Sequence, residues 1–185
     1  MYFNEYFQRI KLNLDSVDNN KLKAVSNLMS DTARCGKKII TVGNGGSASI
    51  ANHVTVDLIN AANIKAISFS DTGIITCFAN DYGYENWVEK ALDCYAESGD
   101  LVILISSSGK SKNMLNAARK AKSISANVVT LSGFSSDNPL KKMGDINFWV
   151  DSDEYNNIEM VHHIWLLAII DYVIDEFRKK EGIDL

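Results

Sequence analysis

The chain has 185 residues, 46% of them hydrophobic, enough to bury the core of one domain in the common range of roughly 100–200 residues. Its 19 Lys and Arg against 23 Asp and Glu give a formal net charge of −4, which excludes a general attraction to nucleic acid or to an anionic membrane. Any anionic ligand must be held by a local site.

Cys35, Cys77 and Cys94 are widely spaced and form no CxxC pair, so neither a disulfide framework nor a thiolate zinc site is implied; reduced, mostly buried thiols are expected. The opening segment MYFNEYFQRIKLNLDSVDNN lacks the apolar run of a signal peptide. The most hydrophobic stretch, IWLLAII at 164–170, falls short of the ~20 residues that span a bilayer. A soluble, cytoplasmic protein is expected.

In chain order, Phe3, Phe7, Ile10 and Leu14 recur with helical spacing, as do Leu22, Val25, Leu28 and Met29. Asp18–Asn20 separates these two helices and offers a cap to the second. From residue 38 short β-branched runs alternate with helical stretches. Strands are expected at KIITVG, KAISF, DLVILIS, NVVTLS and INFWV, and helices over 47–61, 84–96, 112–123 and 157–178. Apolar strands punctuated by helices predict an α/β domain with a parallel sheet covered on both faces. No linker or repeat divides it.

Two strand ends carry glycine and serine. GNGGS, 43–47, lets backbone approach an anion at the start of a helix, where free amides and the helix dipole favour negative charge. SSSGKS, 106–111, repeats the strand–turn–helix arrangement with four hydroxyls, suited to the terminal oxygens of a phosphomonoester. Lys110 and Ser111 mimic the end of a nucleotide hydrolase loop, but that pattern needs glycine where Leu104 stands. Gly43, Gly45 and Ala48 satisfy the dinucleotide fingerprint, with Asp71 as the ribose-binding acid, yet this leaves the second turn and the histidines without a task. No nucleotide is therefore expected.

With GNGGSASIANHVTVD, FANDYGYENWVEKAL, LISSSGKSKNMLNAARKAK and a closing NIEMVHH in this order, the chain resembles the SIS (sugar isomerase) domain family, and within it the phosphoheptose isomerases. The resemblance implies a single domain with an N-terminal helical segment, 1–36, and an α/β core with a long closing helix, 37–185. It implies a five-stranded parallel sheet flanked by helices, a three-layer flavodoxin-like or Rossmann-like sandwich, and a homotetramer with interfacial active sites. Asn44, Gly45, Gly46 and Ser47 would line the substrate site, with Asn80 and Asp81 nearby; Ser106, Ser107, Ser108 and Ser111 would hold the phosphate. His53 and Asp57 fall where the family has a zinc-binding histidine and glutamate, and Glu159 where it has a glutamine. Leu167 stands in place of the family's second metal-binding histidine, Asp57 is one methylene shorter than the family glutamate, and Lys110 replaces a frequent asparagine.

Aldose–ketose isomerisation needs a base beside the carbonyl, a donor for the enediolate oxygen and a group that returns the proton. His53 with Asp57, and Glu159 with His163, are i, i+4 pairs on helix faces. Asp57 or Glu159 is expected as the base and His162 or His163 as the proton-transfer partner; consecutive residues point about 100° apart, so one of the two histidines faces the site. His53, Asp57, Glu159 and one of the paired histidines, with His163 as the fourth ligand, also make a candidate Zn²⁺ set. Tyr82, Tyr84 and Trp87 follow AND, where aromatics can wall a sugar site, but they are expected to pack in the core.

The expected activity is isomerisation of sedoheptulose 7-phosphate to D-glycero-D-manno-heptose 7-phosphate, feeding heptose synthesis for surface polysaccharide. Alternatives are an isomerase of another phosphosugar and a non-catalytic sugar-phosphate-sensing or protein-binding regulator.

Overall fold

A computed structural model describes residues 1–181 of the chain. Five parallel strands, β1 (Ile39–Gly43), β2 (Ala66–Ser68), β3 (Leu101–Ile105), β4 (Asn127–Ser132) and β5 (Ile146–Trp149), form one sheet in the order β2-β1-β3-β4-β5. Both β1 and β3 are buried along their whole length, as apolar strands covered on two faces must be. Successive side chains alternate between the two cores. Ile39, Leu101, Ile103, Val129 and Phe148 enter one; Ile40, Val102, Leu104 and Val128 enter the other.

The first core is covered by α1 (Tyr2–Asp15), α2 (Asn19–Arg34), α3 (Gly46–Asn60) and α7 (Tyr155–Glu181). The second is covered by α5 (Trp87–Tyr95) and α6 (Lys112–Ser123), with α4 (Thr72–Tyr82) at its rim. Asp18 caps α2 by accepting from the Asn20 amide at 2.9 Å, as its position before the second helix suggests. In the α1 stripe only Ile10 and Leu14 pack on the core, while Phe3 and Phe7 are exposed.

Several expectations are corrected. α4 arises where no helix is expected, and the helix expected over 84–96 starts at Trp87, because Gly83 ends α4 with a positive φ of 87°. All three cysteines are exposed, on the outer faces of α4 and α5 and at the end of α2, so they are not core thiols. α7 is long and apolar enough to cross a membrane by length and composition, which the 164–170 run alone is not. Half of its most apolar window is buried, with Ile158, Val161, Trp165, Leu166, Ile169 and Ile170 in the first core. It is a core helix of this fold.

Thr41 ties the glycine turn to the sheet. Its hydroxyl donates to the Ala51 carbonyl at 2.9 Å and lies 2.6 Å from the Thr55 hydroxyl, so the start of α3 is docked directly on β1. In the order 2-1-3-4-5 the chain leaves β1 and β3 toward opposite faces, and the crevice between their carboxyl ends is where open α/β sheets bind ligands.

Candidate functional site

The two turns emerge from neighbouring strands. Gly43 of β1 is in register with Ile105 of β3, so the glycine turn, 43–47, and the serine turn, 106–111, stand side by side at one edge of the sheet. Neither following helix has a side-chain cap: α3 starts after Gly45 and α6 after Ser111. Their first amides are left as donors. In the serine turn the Ser106 hydroxyl donates to the Ser111 hydroxyl at 3.3 Å, and the Lys110 amide donates to Ser108 Oγ at 3.3 Å. Ser106 and Ser107 are buried, Ser108 and Ser111 partly so, which gathers four hydroxyls about one bend.

Glu159 joins the turns. From the first part of α7 its carboxylate lies against Gly46, where a Cβ would stand 2.1 Å from Oε2, and Ser107 Oγ donates to its Oε1 at 3.5 Å. A Cβ at 46 would push that carboxylate away from the turn. Burial raises the Glu159 pKa above the usual carboxylate value, and the Ser107 contact offsets part of that rise. A second link runs between Asn44 and Asn113, whose carboxamides exchange hydrogen bonds of 3.0 and 2.9 Å. Beside the glycine turn lies a cleft of about 240 Å³ bordered by Asn44, Asn52, Phe69, Ser70, Tyr84 and Trp87.

The histidines separate. His163 Nε2 lies 2.8 Å from His53 Nδ1, and His53 Nε2 lies 3.4 Å from Asp57 Oδ2, giving a chain Asp57–His53–His163 across α3 and α7. Burial lowers the His163 pKa, helped by His53 and opposed by Asp57. His162 is not a site residue: it is wholly buried, its Nε2 donates to the Ser132 carbonyl at 3.1 Å, and burial pulls its pKa down to about 4. It belongs to the core face of α7.

The candidate zinc quartet is not assembled among the described residues. His53 and His163 spend ring nitrogens on each other, Glu159 is turned to Ser107 and Gly46, and Leu167 packs partly buried against the first core. Among the described residues no three His, Cys, Asp or Glu side chains converge to hold a metal ion. Asn80 and Asp81 sit exposed on the last turn of α4, where Asn80 Nδ2 donates to Asp81 Oδ1 at 2.9 Å and the Cys77 thiol faces Asp81 at 3.6 Å. Their hydrogen bonds stay within α4. Asp71 caps that helix by accepting from the Ile74 amide at 2.9 Å, which occupies the acid that a dinucleotide reading would need.

Two contributors, Asn113 and Asn138, escape the sequence reading, and Tyr84 borders the cleft rather than the core. Tyr84 is exposed, not core, and its hydroxyl donates to Asn44 Oδ1 at 3.1 Å; Tyr82 is exposed as well, and of the three aromatics only Trp87 is buried. Asn113 is buried at the start of α6. Asn138 is buried below the serine turn, where it donates to the Ser132 hydroxyl and the Gly133 and Ser135 carbonyls. Its Oδ1 would lie 2.0 Å from a Cβ at Gly109, whose φ is +62°, so glycine is required there twice over. A polar residue in a polar loop carries no periodicity that reveals burial. The only available hint was the glycine itself.

The sequence profile described as SIS domain matches residues 2–133, which include both turns. A phosphoheptose isomerase of Helicobacter pylori (strain P12) is 33% identical over 179 residues, covering 94% of this chain and 92% of that protein. The chain belongs to the SIS domain family and, within it, to the phosphoheptose isomerases. The solved phosphoheptose isomerase from Francisella tularensis superposes with a TM-score of 0.86 at 28% identity, covering 95% of this chain and 97% of that one. That from Neisseria gonorrhoeae gives 0.85 at 25% identity, covering 93% and 94%. This phosphoheptose isomerase fold is thus shared over nearly the whole chain.

Proposed function

We propose that the chain interconverts sedoheptulose 7-phosphate and D-glycero-D-manno-heptose 7-phosphate at the edge formed by the two turns. The single observation that carries this reading is the seat of Glu159, against Gly46 of one turn and hydrogen-bonded to Ser107 of the other. A carboxylate with a raised pKa beside a hydroxyl-rich anion cradle is the arrangement that proton abstraction from a phosphorylated ketose requires.

In this scheme the phosphate takes Ser106, Ser107, Ser108 and Ser111 together with the first amides of α6. Glu159 removes a proton from C1 of the ketose. The electron pair forms the C1–C2 enediolate, whose oxygen accepts from the uncapped amides at 45–47. As the O1 hydroxyl proton passes to O2, a proton delivered to C2 leaves the carbonyl at C1 and completes the aldose. His163, one turn beyond Glu159 on α7 and hydrogen-bonded to His53, is neutral at pH 7 and is the group placed to shuttle it, with Asp57 orienting His53. No step runs through a metal.

Support for a homotetramer with interfacial sites comes from apolar side chains that the single chain leaves exposed: Phe3, Phe7 and Leu12 on α1, Val56 and Ile59 on α3, Ile164 on α7. Val56 and Ile164 flank the His53–His163 pair in sequence, so a partner seated there would close over the chemistry. A free sugar phosphate as substrate fits a cytoplasmic site of action. Nucleic acid and membrane have no part in the scheme.

The test is a coupled assay of the purified protein with sedoheptulose 7-phosphate. Turnover to the aldoheptose phosphate supports the reading. Thermal stabilisation by the sugar phosphate with no turnover assigns the protein to sugar-phosphate sensing instead, since ligand binding raises stability by mass action alone.

A further inference from the structure

We infer that Asn113 and Tyr84 are positioning residues that fix the carboxamide of Asn44 in the sugar-phosphate site. The inference rests on the proposed placing of substrate at the glycine turn, and deepens it by assigning what that turn offers to a ligand.

Asn44 Oδ1 accepts from Asn113 Nδ2 at 2.9 Å and from the Tyr84 hydroxyl at 3.1 Å. A carboxamide oxygen has two lone pairs, and both are taken. Asn44 Nδ2 donates one of its two hydrogens to Asn113 Oδ1 at 3.0 Å. One N–H is left over. Held this way, Asn44 presents a donor and no acceptor, so its complement is a sugar carbonyl, hydroxyl or phosphate oxygen.

Asn113 has the burial that such a role demands. It is 2% exposed, on the second residue of α6, and a carboxamide so deeply placed is costly to leave unbonded. Both of its side-chain bonds go to Asn44, and so the pair ties the turn after β1 to the helix after β3. Tyr84 reaches the same oxygen from the loop between α4 and α5, and its ring borders the cleft. Three elements therefore agree on one amide orientation.

The test is a double-mutant cycle on the whole protein. Asn113→Asp keeps the shape but replaces the donor with an acceptor, and Tyr84→Phe removes the hydroxyl. Loss of a positioned hydrogen bond predicts that kcat/KM on sedoheptulose 7-phosphate falls roughly tenfold for Asn113→Asp and several-fold for Tyr84→Phe. In an Asn44→Ala background neither change costs anything further; losses that persist there overturn the inference, because they do not pass through Asn44. If the wild-type protein turns over no sugar phosphate, the failure belongs to the proposed function and the inference is decided by crystal structures. In Asn113→Ala the Asn44 carboxamide leaves its wild-type position; a carboxamide that stays put contradicts the inference whatever the assay shows.

Discussion

At the scale of single residues, the two neighbouring histidines of α7 divide core from site. His162 is neutral and buried, with a pKa of about 4, so between pH 6.5 and 4 the unfolded chain binds a proton that the folded chain refuses. Its contribution is complete above pH 6.5 and is lost as pH falls toward 4, amounting to about 3 kcal/mol across that window. Urea unfolding at pH 7 and pH 4.5 is expected to show the wild type losing more stability on acidification than His162→Gln does. An equal loss in the two proteins contradicts this role. The sequence shows that consecutive residues cannot share a pocket, yet cannot say which faces inward, because Val161 and Ile164 leave the apolar stripe balanced on either side. Asn113 and Asn138 were illegible for a related reason: a buried amide looks like a surface one until its partners are known.

Among the elements, the strands and α2, α3, α6 and α7 are legible because apolar periodicity and glycine punctuation agree. α4 is not. TGIITCFANDY mixes glycine and β-branched residues and has no fully buried residue, and its short apolar face of Ile75, Phe78 and Ala79 packs only partly on the second core. Its start depends on one side chain, Asp71, whose carboxylate holds the Ile74 amide. Replacing Asp71 with Ala is expected to cost about 1 kcal/mol locally. Hydrogen exchange over 72–82 measures it: faster exchange there, with the strands unchanged, is the expected result, and unaltered protection of α4 refutes the cap's importance. Since α4 leads into the loop bearing Tyr84, the same loosening reaches one of the two residues that orient Asn44.

For the whole molecule, strand order does the placing. Two turns about sixty residues apart in sequence meet because β1 and β3 are adjacent at the switch point of a 2-1-3-4-5 sheet. The two strand–turn–helix units were legible from glycine, serine and the helices that follow, and their adjacency follows from topology. Illegible was the partner of each carboxylate, which depends on how far α7 slides along α3. In the proposed scheme that geometry makes Glu159 the base, at a position where the resemblance implies glutamine. The direct measurement is kcat of Glu159→Gln on sedoheptulose 7-phosphate, with sugar-phosphate binding followed by thermal shift. Loss of a general base predicts a fall of roughly 10²–10⁴-fold in kcat with binding retained. Turnover at the wild-type rate would contradict the account and pass the base to Asp57.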